Sequence, residues 1–357
     1  MDKRKSLVGI GLILALMAFT GYMLLRDMSF SRLASTLRQL NPLWLLVGLG
    51  MMFVFVGSEA LCSRIVLGRL GHKVRYRRCL GYSFVGFYVS SITPSSTGGQ
   101  PAQVYYMSKD NIPAAHGALN MMLIAVCYQA VVIVYALAAA LTHFYLVQNL
   151  GSGLGLLLLY GVVVNGSLTV GMLSLMFLPN AARKLTGGVL KLLVKVRIIR
   201  NGDKARQRLE KQMEEYHKGA QCVKQNPGMM VGLVLITIIQ LTALFSIPVA
   251  VYYAFGLSGA SPLEIIATQA LVTLAVANLP LPGAVGASEG GFVTAMALFF
   301  GSSLVTPAVL VSRGISFYSF LVISAIVALA VHLRTRRQRR MEDSTPYPKQ
   351  ARGPIVT

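Results

Sequence analysis

Six apolar stretches, at residues 7–25, 43–67, 115–147, 154–178, 228–255 and 307–331, are each long enough to cross a bilayer. A hydrocarbon core of about 30 Å needs about 20 helical residues, and lipid cannot pair an exposed backbone amide, so such runs must be helical. The fold class is therefore an all-α polytopic membrane protein with about six full transmembrane helices. The composition agrees: 55% of residues are hydrophobic, 13% are charged and the mean hydropathy is +0.62, far from an ordinary soluble domain.

A net charge of +21 would point to nucleic acid in a soluble protein, but in a membrane protein the position of the charges carries the information. Of the 33 Lys and Arg, 28 fall within residues 3–5, 64–78, 183–224 and 334–352. Basic loops stay in the cytoplasm, which predicts cytoplasmic termini and no nucleic-acid partner. Residues 7–25 read as an uncleaved first span. Phe30, Leu33, Leu37 and Leu40 after it have the spacing of a short surface helix. Leu185, Val189, Leu192, Leu193 and Val196 alternate with Lys and Arg, which suits an interfacial helix on anionic membrane lipid, at about 1 kcal/mol per basic residue. The chain then turns fully polar over residues 201–218, and a solvated linker is the alternative account of the whole 180–227 segment. Cys62, Cys79, Cys127 and Cys222 show no C-x-x-C spacing, and the five histidines form no ligand pattern. Unpaired cysteines, no metal and no cofactor are expected.

Two stretches interrupt this helical plan. Residues 279–291, Leu-Pro-Leu-Pro-Gly-Ala-Val-Gly-Ala-Ser-Glu-Gly-Gly, hold two prolines, four glycines and a carboxylate between apolar runs. They cannot be a continuous helix. Residues 93–101, Thr-Pro-Ser-Ser-Thr-Gly-Gly-Gln-Pro, are of the same kind. The run before them, residues 79–92, would reach only about 21 Å as a helix, and residues 290–301 only about 18 Å, too short to span. With the basic loops fixed inside, residues 79–110 must enter and leave from the cytoplasm and residues 262–301 from the opposite side. Each reads as a re-entrant helical hairpin. The layout gives a membrane half at 1–179, a basic amphipathic cytoplasmic segment at 180–227, a second membrane half at 228–333 and a basic tail at 334–357. It suggests an inverted repeat, with Gly/Pro-interrupted segments in matching positions of the halves, which is where transporters bind their substrates.

The breaks lead into helix N-termini near Pro101 and Ser288, where free N–H groups and the helix dipole favour an anion such as a lipid phosphate. Ser95, Ser96, Thr97, Gln100 and Ser288 add neutral hydrogen-bonding groups, and Gly98, Gly99, Pro282, Gly283 and Gly286 keep the backbone irregular. Packing alone would also seal such breaks. Few charges lie inside the spans: Glu59, Glu289 and Arg313. A lone charge there costs at least about 2.5 kcal/mol, so each needs a partner or a function. Glu289 sits in a first helical turn and Arg313 is its best partner, either as a permanent ion pair or as a switch that trades the carboxylate for a phosphate. Glu59 lies close to Arg64 in sequence and reads as structural. The candidate substrate-binding residues are thus those ten together with Glu289 and Arg313.

The segments Thr93-Pro94-Ser95-Ser96-Thr97-Gly98-Gly99-Gln100-Pro101 and Pro280-Leu281-Pro282-Gly283-Ala284-Val285-Gly286-Ala287-Ser288-Glu289-Gly290, with Arg313 in the last span, resemble the flippase-like membrane domain of the lysylphosphatidylglycerol synthase/flippase family. The resemblance covers roughly residues 5 to 335. It implies a bacterial inner-membrane protein that moves a phospholipid substrate, aminoacylated or not, or a polyprenyl-linked lipid, between leaflets. Full-length members add a soluble lysyl-transferring domain, which is not expected here because only residues 332–357 follow the last run. Many relatives carry a carboxylate where this chain has Gln100, and often a charge in the segment that reads Leu123 to Ala130 here without one. Three other accounts stay open: a phosphatidylglycerol lysyltransferase, a membrane partner of a separate lipid synthase, and a small-solute carrier.

Overall fold

A computed structural model describes residues 38–93, 96–149, 151–177, 202–277, 279, 281 and 284–344. The first span at 7–25, most of the surface helix read at 30–40, the interfacial segment at 185–196 and the end of the tail lie outside the described residues.

Every regular element among the described residues is helical. Helix α1 (Pro42–Arg69) begins where Asn41 Oδ1 accepts the Leu43 N–H at 3.0 Å and proline occupies the first turn. Proline costs nothing there because that N–H has no helical partner. The same device opens α8 (Pro227–Phe245) and α10 (Pro262–Val276). Helices α2 (Tyr76–Ser91) and α3 (Gly99–Lys109) form the first broken pair and pack on each other. Two long helices follow, α4 (Ala114–Thr142) and α6 (Gly151–Phe177), with the short α5 (Phe144–Asn149) between them. The run read as 115–147 therefore ends earlier, at His143, whose φ of −132° leaves the helical region.

Helix α7 (Gly202–Lys224) occupies the stretch that the sequence presents as polar linker. Tyr216, Ala220 and Val223, at i, i+4 and i+7, form a narrow apolar strip that packs with Leu67 and Leu119, and this contact holds a highly charged helix in place. His116 bridges to it from α4, with Nε2 3.7 Å from Glu215 Oε2 and Nδ1 2.8 Å from His72 Nε2. Next, α8 and α9 (Ile247–Ala254) together make up the span read at 228–255, with a break at Ser246 because Pro248 has no N–H to continue the ladder. Helix α11 (Ala287–Arg313) kinks at Gly301 (φ +69°), the residue at which the second hairpin was expected to end. A five-residue π turn, Gly314–Tyr318, links it to α12 (Ser319–Ser344).

Among the described residues, five segments are long and apolar enough to cross a membrane: Pro42–Arg69, Ala114–Thr142, Gly153–Ser174, Pro227–Ala254 and Ala287–Arg337. Their outward residues are apolar, as at Val322, Ile326, Leu329 and Leu333 of α12, each more than half exposed. This is a multi-pass membrane protein. All four cysteines are free.

The two halves interlock. Helix α2 of the first broken pair packs on α12 at the far end of the chain, and α10 of the second packs on α4 and α6. The tightest approach is at Gly161 of α6, where a Cβ would fall 2.0 Å from the Leu274 carbonyl oxygen of α10. Since that oxygen is backbone, neither helix can yield locally. Gly161→Val should lower the thermal midpoint in detergent by an amount equivalent to about 1–3 kcal/mol of overpacking. Gly166→Ala on the same helix, with nothing within 4 Å of its Cβ, should leave the midpoint unchanged or raise it.

Candidate functional site

The two breaks have the same local build. In the first, Ser96 takes φ +54° three residues before α3, and in the second Ala284 takes φ +53° three residues before α11. An L-residue in that region costs about 1–3 kcal/mol and persists only where the surroundings enforce it. Around the first tip, Thr93 Oγ1 donates to the Val89 carbonyl at 2.8 Å and accepts the Gly98 N–H at 3.0 Å. Ser90 Oγ donates to the Ser96 carbonyl at 3.2 Å. Gly99 is required by close approach, because a Cβ there would lie 2.6 Å from the Gly86 carbonyl oxygen. At the second tip, Gly286 adopts φ +89° and donates its N–H to Glu289 Oε2 at 2.7 Å. The side chain at the third helical position thereby closes the start of α11, as in a capping box.

Glu289 is 1% exposed. Its other oxygen, Oε1, accepts from Arg313 Nε at 2.8 Å, and the guanidinium carbon lies 4.4 Å from the centre of the Phe317 ring. The π turn begins immediately after Arg313, in keeping with the frequent placement of such turns at functional sites.

Both tips border one cavity of about 470 Å³, within the range of small-molecule sites. Ser96 and Gln100 of the first break, and Ser288 and Arg313 of the second, lie in its wall. Thr97, Gly98 and Gly99 belong to the turn at the first tip; at the second, Gly286 donates to Glu289, which in turn holds Arg313. Ser95, Pro282 and Gly283 lie outside the described residues.

Glu59, read from sequence as structural beside Arg64, lies in the cavity wall, where its Oε1 accepts from Gln103 Nε2 at 2.8 Å. Gln103, Gln129, Gln240 and Gln269 also line the wall and were not singled out by sequence. The available signal was weak: Gln103 stands one turn after Gln100, and Thr273 one turn after Gln269.

Residues 6–324 match the family model described as the lysylphosphatidylglycerol synthase TM region. The chain belongs to that family. No curated protein matches it. In this member of the family the two breaks and Arg313 of the buried ion pair meet at a single cavity, so described residues from both motifs that carry the resemblance in sequence converge in space.

Removing one partner of a buried pair strands the other charge, at about 3–5 kcal/mol, whereas neutralising both removes that penalty. Arg313→Gln alone should therefore sharply lower the thermal midpoint in detergent, and Arg313→Gln combined with Glu289→Gln should recover a large part of the loss. A double-mutant cycle of the four proteins checks this, and additive effects would contradict the coupling.

Proposed function

We propose that this protein is a lipid translocase, which carries a phospholipid headgroup through the cavity between the two broken hairpins while the acyl chains remain in the bilayer. The observation that carries the proposal is the convergence of both tips and Arg313 on one polar space inside a multi-pass membrane protein. Helices α3 and α11 begin beside this space, so the positive ends of two dipoles and a guanidinium favour a phosphate there. A guanidinium also binds phosphate through paired N–H groups, so an entering phosphate competes with Glu289 for Arg313. That competition gives the ion pair two arrangements, one closed on Glu289 and one open to the headgroup. Glu59, on the same wall, supplies a carboxylate for the non-phosphate part of the headgroup.

Family membership favours a bacterial inner-membrane location, and the charge pattern favours basic loops and both termini in the cytoplasm. The basic segment around α7 would then lie against anionic lipid, and a separate lipid synthase is a candidate partner on that face. The family's description names a synthase, which favours a second reading in which the chain transfers a lysyl group. Lysyl-lipid formation by the purified protein with charged tRNA would establish it.

Liposomes containing the purified protein and fluorescent phospholipids provide the test. The protein should accelerate leaflet exchange. Arg313→Ala, Glu289→Gln and Glu59→Gln should each lower the rate at least tenfold while keeping a monodisperse, cooperatively unfolding protein. Unchanged exchange in a folded Arg313→Ala protein would remove the proposed role of the arginine, and absence of exchange for every lipid would remove the translocase.

A further inference from the structure

The cavity wall has an unusual chemical make-up. Its charged residues are Glu59 and Arg313, and it contains five glutamines: Gln100, Gln103, Gln129, Gln240 and Gln269. Across residues 42–142 and 227–337, every glutamine of the chain is in this wall. A carboxamide inside a membrane protein is costly unless it is satisfied, so its confinement to one surface calls for an account.

Three of these side chains present a buried acceptor with no partner. Gln103 Oε1, Gln240 Oε1 and Gln269 Oε1 lack a hydrogen bond, although Gln103 is only 4% exposed and Gln240 only 1%. Their orientation is set in two cases by the other end of the amide, since Gln103 Nε2 donates to Glu59 at 2.8 Å and Gln269 Nε2 donates to Thr273 Oγ1 at 3.3 Å. An unpaired buried acceptor is destabilising, and a ligand bringing hydroxyl donors would offset that cost.

The acceptors come from different parts of the fold. Gln103 belongs to α3, Gln240 to α8 and Gln269 to α10, three helices that all pack on α4, with α8 and α10 also packed on each other. An ammonium group is a donor only, and its N–H bonds radiate from one atom, so it reaches acceptors that all lie within about 3 Å of that nitrogen. A ring bearing several hydroxyls distributes its donors around a perimeter, and each hydroxyl also accepts from amide N–H groups and from serines such as Ser288 and Ser316. We infer that the glutamine wall selects a lipid whose headgroup is a phosphate-linked cyclic polyol or sugar, with Gln103, Gln240 and Gln269 reading its hydroxyls and Arg313 its phosphate.

This inference rests on the translocase reading of the same cavity, so two readouts keep them apart. In liposomes, exchange of labelled phosphatidylinositol is compared with that of phosphatidylglycerol, lysyl-phosphatidylglycerol and phosphatidylethanolamine. In detergent, the thermal midpoint is measured with soluble glycerophosphoinositol and with glycerophosphoethanolamine. The variants are Gln240→Leu and Gln269→Leu, which remove an unpaired acceptor and should fold at least as well as the parent, with Gln240→Met as a second shape. Phosphatidylinositol should exchange at least tenfold faster than phosphatidylethanolamine, each Leu variant should reduce that ratio at least tenfold, and glycerophosphoinositol alone should raise the midpoint of the parent. Exchange led by an ammonium-bearing lipid, or a ratio insensitive to the glutamines, would overturn the inference and leave the translocase standing. Stabilisation by glycerophosphoinositol that the glutamine variants lose, without exchange of any lipid, would support the polyol site and remove the translocase. Neither exchange nor stabilisation would overturn both.

Discussion

Lipid offers no hydrogen bonds, and this constraint governs where the chain is able to leave the helical ladder. Two breaks at membrane depth would each be prohibitive if they faced hydrocarbon. They are sustained because they border one interior space and because side chains take over as partners: Thr93 and Ser90 at the first tip, Glu289 at the second. Glu289 then requires Arg313, since a carboxylate at 1% exposure needs a counter-charge. The ion pair is therefore a consequence of the broken backbone as well as a candidate for function.

The interlocking of the halves follows from the same need. A short hairpin cannot shield its own tip, and each one borrows cover from the other half, α2 from α12 and α10 from α4 and α6. Close contacts such as Gly161 against Leu274 fix those elements with little slack. The left-handed residues Ser96 and Ala284 both line the cavity, so backbone strain is stored at the surface that a substrate would meet.

The helices and the breaks were legible in the sequence because both are written locally, in runs of apolar residues and in clusters of Pro and Gly. The pairing of Glu289 with Arg313 was legible too, since the spans offered few other charges. The place of Glu59 at the cavity was not legible from proximity along the chain: Arg64 is five residues on, neighbours on a helix face are three or four apart, and its hydrogen-bond partner Gln103 is distant in sequence. Helix α7 was hidden because its apolar strip, Tyr216, Ala220 and Val223, is narrow and set among charges, and its receiving surface at Leu67 and Leu119 is far away in sequence. The glutamine wall was illegible for a similar reason, as its members come from four helices and carry no charge to draw notice.

The π turn at Gly314–Tyr318 works as a phase adjuster between two surroundings. Upstream, Arg313 must face the cavity; downstream, Phe320 is fully buried while Val322, Ile326, Leu329 and Leu333 look outward. A π turn holds an extra residue relative to an α-helix, and one residue amounts to a rotation of about 100° about the axis. Without that offset, a regular helix that kept Arg313 on the polar interior would swing the apolar stripe of α12 away from lipid, so the same irregularity lets one continuous rod serve water-like and oil-like environments in turn.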